Sequence, residues 1–270
     1  MRCAVLGDPI THSLSPALHR AGYAAAGLTG WSYDAVRVPA GGVRGFVEAL
    51  DATWRGLSVT APLKREVLVL ATEVTERARL AGAANTLVIG PEGRLADNTD
   101  LPGAVAAVRE RYAGPVTSAT VLGAGATAAS TGLALVELGA RSVTLLARSP
   151  ERAAETAAVI AAHPSAPRVR VGSLALDPVV GEVVVSTVPA QAQTEDLVAR
   201  CGAAAVVFEA LYAPWPTPLS RSAADRALVG GLDLLVHQAA LQFTMFTGLP
   251  APLEQMRAAG EQALAERSAR

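Results

Sequence analysis

Lysine is almost missing from this 270-residue chain: of 23 basic residues, Lys64 is the single lysine and the rest are arginine. Cysteine, histidine and the aromatics are scarce as well. Each shortage excludes something. The two cysteines, Cys3 and Cys201, lie in separate apolar strand-like runs and read as buried thiols, not as a disulfide framework. His12, His19, His163 and His237 show no ligand spacing with one another or with cysteine, so no metal site is expected. A net charge of −1 and a pI near 6.4 provide no field for nucleic acid or an anionic membrane. No apolar run approaches the ~18 residues of a membrane span, and the apolar part of "MRCAVLGDP" is too short for a secretory signal. A soluble, cytoplasmic protein is the resulting expectation.

What is present is a rhythm of short apolar runs and amphipathic stretches. "RCAVLG", "WSYDAVRV" and "GLSVT" read as strands, and Pro16–Gly27 as a helix capped by Ser15 with Pro16 in its first position. "GGVRGFVEAL" and "LKREVLVLA" read as helices, and "TLVIGPEGRLADNTD" as a hairpin around Pro-Glu-Gly. Leu101–Tyr112 is a further helix, followed by the small-residue linker "AGPVTSA". The alternation then restarts with strands at Ala119–Leu122, Ser142–Ala147, Arg168–Val171, Glu182–Ser186 and Ala204–Glu209. Helices lie at Ala126–Leu138 and Glu151–Ala162, and the chain ends in Leu232–Gly248 and Leu253–Arg267. Helices between strands imply right-handed crossovers and a parallel sheet covered on both faces, an α/β protein of two domains.

"ATVLGAGATAAS" places Gly123-x-Gly125-x-x-Ala128 between a strand and a helix. Such a loop lets main chain approach a pyrophosphate at a helix N-terminus, although a bare strand-to-helix turn has the same pattern. The next strand ends in Ala147-Arg148, where an NAD-binding unit offers Asp or Glu to the ribose. Arg148, with Arg152 one turn later, suits a 2′-phosphate and favours NADP over NAD.

Lys64 lies where the strand "GLSVT" passes through Thr60-Ala61-Pro62 into an expected helix start. There the positive end of the helix dipole would favour release of its proton, unlike a guanidinium, which keeps its charge. Asp97, Asn98, Thr99 and Asp100 close the hairpin. A carboxylate there serves either a neighbouring lysine or the next helix as a cap. Ser13 and Ser15 offer two hydroxyls suited to a carboxylate.

Taken in order, Ser13-x-Ser15-Pro16, Val59-Thr60-x-Pro62-x-Lys64, "AGAANT" with Asn85, "DNTD" with Asp100, Gly123-x-Gly125, "YAPWPTPL" with Tyr212, and Gln238 resemble the shikimate dehydrogenase family over essentially the whole chain. The resemblance implies NADPH-dependent reduction of 3-dehydroshikimate to shikimate, on the way to aromatic amino acids. It implies a substrate domain at 1–101 that the chain rejoins at 235–270. A Rossmann-like NADP-binding domain would occupy 102–234, with a cleft between the two. By the same resemblance Lys64 and Asp100 are catalytic, and Ser13, Ser15, Thr60, Asn85, Tyr212 and Gln238 bind substrate. Gly123, Ala124, Gly125, Ala126, Arg148, Arg152 and Gly231 would hold the cofactor. A small-molecule substrate is implied, with no nucleic-acid or membrane partner; a homodimer stays open. A quinate or aminoshikimate enzyme using NAD, and a non-catalytic NADP-binding regulator, are the alternatives. Five positions depart from the family: Ser58 for a frequent asparagine, Ala147 for asparagine, Glu209 for aspartate, and Asp233 and Leu234 for Gly-Met.

Overall fold

A computed structural model describes residues 1–268, apart from the side chains of Arg152 and Ser268. The chain divides into two units, Met1–Thr99 with Leu235–Arg270, and Asp100–Leu234. Each has its own six-stranded sheet.

In the first unit the strands are β1 (Arg2–Gly7), β2 (Ser32–Arg37), β3 (Trp54–Val59), β4 (Glu73–Val74), β5 (Thr86–Gly90) and β6 (Gly93–Asp97). Their order is β2-β1-β3-β5-β6-β4. β1 runs parallel to β2 and β3, and the β5–β6 hairpin is antiparallel, so the sheet is mixed. β1 is central and covered on both faces, which is why "CAVL" is apolar without alternation. Three helices accompany these strands: α1 (Ser15–Ala25), α2 (Val43–Glu48) and α3 (Glu76–Ala81). The cap residue of α1 is Leu14, not Ser15, which already lies inside the first turn beside Pro16. α1 also buries His19, whose ring stacks on Tyr33 at 4.1 Å with Tyr23 and Phe246 around it. The helix expected over "LKREVLVLA" does not form. Residues 61–65 are turns, and Glu66–Leu70 is one short 3₁₀ helix. Val67 and Leu70, three apart, are its buried residues, a spacing that suits three residues per turn. Leu6, Leu57, Leu63, Val67 and Leu87 form the core between this segment and the sheet.

The second unit opens with α4 (Asp100–Arg111), followed by β7 (Ser118–Leu122), α5 (Ala126–Glu137), β8 (Ser142–Ala147), α6 (Pro150–Ala161) and β9 (Arg168–Ser173). β10 (Val183–Ser186), α7 (Glu195–Arg200), β11 (Val206–Glu209), α8 (Pro218–Arg221) and β12 (Ala227–Val229) complete the sheet. All its strands are parallel, in the order β12-β11-β10-β7-β8-β9. The order reverses between β7 and β10, the switch point where open α/β sheets bind ligands. β12, α7 and α8 were not expected from the sequence. α9 (Gly231–Thr247) then carries the chain back into the first unit, and α10 (Leu253–Ser268) is the last helix. No helix among the described residues is long and apolar enough to cross a membrane.

Candidate active site

In the first unit the polar side chains gather where the turn after β3 meets the start of β5. Lys64 is half-buried in that turn, and its carbonyl accepts the Ala84 N–H at 2.7 Å. With only a 3₁₀ turn following, the helix dipole invoked for its ammonium has no α-helix to act through. Thr60, at the head of the same turn, donates its N–H to Leu6 and accepts that of Leu63.

Beside Ala84, Asn85 is 2% exposed. Its Oδ1 accepts the Thr99 N–H and the Thr86 hydroxyl, both at 2.8 Å. Its Nδ2 donates to Thr99 Oγ1 at 3.0 Å and to Gln238 Oε1 at 3.1 Å. Gln238, on α9, donates its own Nε2 to the Leu235 carbonyl at 3.0 Å. Three stretches far apart in sequence are thereby joined. Ser13 lies in the loop after β1 and Ser15 opens α1, its N–H making a long bond to Ser13 Oγ at 3.3 Å. Arg267 of α10 holds the loop by donating to the carbonyls of His12 and Ser13.

The four residues of "DNTD" divide their labour. Asp97 is spent on structure: it accepts from both ends of the Arg77 guanidinium and from Thr75, the cap of α3. Burial pushes its pKa up, but Arg77 and Thr75 outweigh burial and hold it below the usual carboxylate value. Asn98 donates to the Ala83 carbonyl, and Thr99 belongs to the Asn85 cluster. Asp100 is buried at the first position of α4.

In the second unit, Gly123 to Ala126 link β7 to α5 at the switch point. Gly123 has φ +117°, and a Cβ there would lie 2.2 Å from Thr187 Oγ1, so only glycine fits. Gly125 differs. Its φ of −96° suits any residue, and a Cβ would meet nothing within 4 Å. That empty space lies over the start of α5, which no side chain caps. A pyrophosphate fits there, bound by main-chain N–H groups. Thr156 of α6 braces the loop by donating to the Ala124 carbonyl at 2.9 Å. Arg148 is exposed directly after β8 with no acidic residue at the strand end, which fits a 2′-phosphate. The side chain of Arg152 lies outside the described residues.

Tyr212 is half-buried in the loop between β11 and α8. Glu209 organises that loop from below, receiving Gln193 Nε2 at 2.6 Å, the Thr217 hydroxyl at 2.8 Å and the Leu211 N–H at 3.2 Å. Burial raises its pKa against those donors. Gly231 lies against the same loop, since a Cβ there would approach the Ala210 carbonyl to 2.5 Å. Asp233 has a structural role: it accepts the Gly230 N–H at 2.9 Å and pairs with Arg111 at 2.8 Å.

Tyr33, Thr86, Gln242, Thr156 and Thr187 were not singled out from sequence, and Ser58 was noted only as a departure from the family. Only Gln242 carried a signal, lying one helical turn after Gln238 and so on the same face of α9.

Residues 5–87 match the family model described as the shikimate dehydrogenase substrate binding domain, and residues 231–259 match the shikimate 5'-dehydrogenase C-terminal domain. The shikimate dehydrogenase (NADP(+)) of Methylobacterium radiotolerans is 38% identical, covering 92% of this chain and 91% of its own. The crystal structure of Mycobacterium tuberculosis shikimate dehydrogenase has a TM-score of 0.84 at 37% identity, over 97% of this chain and 99% of that one. Quinate dehydrogenase from Corynebacterium glutamicum in complex with NAD has a TM-score of 0.87 at 26% identity, over 97% and 99%.

Proposed function

This chain belongs to the shikimate dehydrogenase family, and we propose that it reduces 3-dehydroshikimate to shikimate with NADPH, Lys64 and Asp100 handling the proton. The observation that carries this reading is the main-chain bond from Ala84 to Lys64. It ties the main chain of the one lysine to the residue before Asn85, whose side chain bonds Thr99 and Gln238. A ring bearing several hydroxyls needs amides that donate and accept, and a ketone under reduction needs a proton donor beside them.

NADPH, when bound, supplies hydride to the ketone carbon. The chain's own residues do the rest. Main-chain N–H groups at the Gly123–Ala126 loop hold the pyrophosphate, and Arg148 with Arg152 takes the 2′-phosphate. Ser13 and Ser15 bind the substrate carboxylate, and Tyr212 joins them. Thr60, Asn85 and Gln238 bind the ring hydroxyls. The Lys64 ammonium stabilises the developing alkoxide and gives it a proton, while Asp100 orients the amine and the hydroxyl. In the reverse direction neutral Lys64 accepts the proton. The same reading assigns the enzyme to the cytoplasm.

The likeness to an NAD-bound quinate dehydrogenase sustains a second reading. Arg148 at the end of β8, in place of an acidic residue, favours NADP. A spectrophotometric assay separates the two: NADPH with 3-dehydroshikimate is the preferred pair, and faster oxidation of quinate with NAD reverses the choice. For the chemistry, Lys64→Arg folds, binds both ligands and loses ~10²–10⁴-fold in kcat. Near-normal turnover in that variant removes Lys64 from the mechanism.

A further inference from the structure

Behind the Asn85 cluster runs a second tier of polar groups that the proposed mechanism does not use. The Tyr33 hydroxyl on β2 donates to Ser58 Oγ at 2.5 Å. Ser58, on β3, donates to Gln242 Oε1 at 2.7 Å. Gln242, on α9, donates Nε2 to the Asn85 carbonyl at 3.0 Å and to Thr86 Oγ1 at 2.9 Å. Thr86 in turn donates to Asn85 Oδ1. Every member is buried.

The direction of each bond is determined, because main-chain groups have only one role. The Asn85 carbonyl must accept, so Gln242 presents nitrogen to it and oxygen to Ser58. Ser58 must then donate to Gln242, which leaves its lone pair for Tyr33. The Thr99 N–H must donate, so Asn85 turns its oxygen that way and its nitrogen towards Gln238. The Leu235 carbonyl must accept, which turns Gln238 Nε2 towards it and leaves that nitrogen's second hydrogen for a ligand. An amide in water flips easily. Here a flip at Gln242 would set its oxygen against the Asn85 carbonyl, two acceptors face to face, and its nitrogen against the Ser58 hydroxyl that donates to it, leaving buried bonds unmade.

We propose that Tyr33, Ser58 and Gln242 are positioning residues, a one-way hydrogen-bond relay that sets the amide orientation of Asn85 and Gln238 and thereby the recognition of ring hydroxyls. The inference rests on the reading of those two amides as substrate contacts. Positioned in advance, they meet the ring without reorganising, so the relay acts on substrate affinity and leaves the cofactor alone.

Two variants test it. Tyr33→Phe keeps the ring stacked on His19 and removes only the terminal donor; Gln242→Met removes the central amide at similar volume. In Gln242→Met the KM for 3-dehydroshikimate rises about 10-fold, while kcat and the KM for NADPH stay within about twofold. In Tyr33→Phe the same KM rises about threefold. In a Gln238→Ala background the added effect of Gln242→Met shrinks to less than about twofold, because the two act through one contact. Equal rises in both KM values, or full additivity in the double variant, overturn the relay. Side-chain amide NMR signals of Asn85 and Gln238 give a substrate-free reading. They shift or lose exchange protection in both variants, and unchanged signals overturn the inference. A wild-type protein that fails to turn over 3-dehydroshikimate sinks the proposed function, and the NMR comparison still decides the relay.

Discussion

His19 permits a quantitative prediction, because its environment is closed. The residue is fully buried against Tyr33, and neither ring nitrogen has a hydrogen-bond partner. Burial lowers its pKa from 6.5 to about 3, and Gln242, too loosely placed to bond, offsets this only in part. Its ring neighbours Tyr23 and Tyr33, and Cys3 beside Tyr23, are themselves pushed upward by burial and stay neutral in acid. Below the ordinary histidine value the unfolded chain binds a proton that the folded chain refuses. Stability therefore falls as pH drops from 6.5 towards 3, by ~1.4 kcal/mol per unit. Between about pH 8 and pH 5 the loss assigned to His19 is about 2 kcal/mol. His19→Phe removes the titration. It also removes two unsatisfied nitrogens and adds bulk, effects of about 1–3 kcal/mol that oppose each other and do not depend on pH. Urea denaturation of both proteins at the two pH values isolates the proton, since packing and the shared carboxylates cancel in the double difference. A difference near 2 kcal/mol in favour of the variant in acid supports the assignment. Parallel loss of stability in both proteins refutes it.

The glycine loop separates strain from ligand exclusion. Gly123→Ala strains the apo fold at φ +117°, costing about 1–3 kcal/mol in thermal or chemical denaturation. Gly125→Ala leaves the apo protein within about 0.5 kcal/mol, yet raises the KM for NADPH, because its methyl enters the space given to the pyrophosphate. Arg148→Ala raises the KM for NADPH about 10-fold and leaves that for NADH nearly unchanged, as initial rates with both cofactors will show. Asp97→Asn costs about 3 kcal/mol in denaturant, because it leaves Arg77 facing a group without charge. Since the Asp97 pKa is lowered in the fold, its contribution is complete above the ordinary aspartate value and vanishes as pH falls through the folded value. The stability curves of the wild type and the Asp97→Asn variant therefore converge in acid.

The strand–helix alternation was legible because strands such as β1, β3, β7 and β10 are apolar runs followed within a few residues by glycine or proline, and the longer helices show an apolar face within the run itself. Short elements escaped. β12 is three residues ahead of Gly230, too few for any period to appear. "LKREVLVLA" has a helical look, but of its three buried residues Leu63 is placed by the preceding turn, and Val67 and Leu70 by a single short 3₁₀ helix. At the site, Gly123 and Gly125 were visible because a tight turn has a composition of its own. Gln242 looked like the polar face of an apolar helix. Its partner Ser58 is 184 residues away, and Tyr33 fitted the alternation of a strand. Interactions made at that distance leave no local pattern, so the buried second tier could not be read from spacing.

The contrast between one lysine and many arginines now has a physical content. Several arginines act as clamps on main-chain carbonyls: Arg226 on Cys201 and Ala204, Arg109 on Gly114 and Leu138, Arg267 on His12 and Ser13. A planar fork with permanent charge suits that task, and none of these bonds requires a proton to leave. Lys64 stands in a different setting. Its turn is held by main chain on either side, Leu63 to Thr60 and Ala84 to Lys64. An amine can release and regain a proton where a guanidinium does not. The exchange Lys64→Arg therefore tests chemistry rather than architecture.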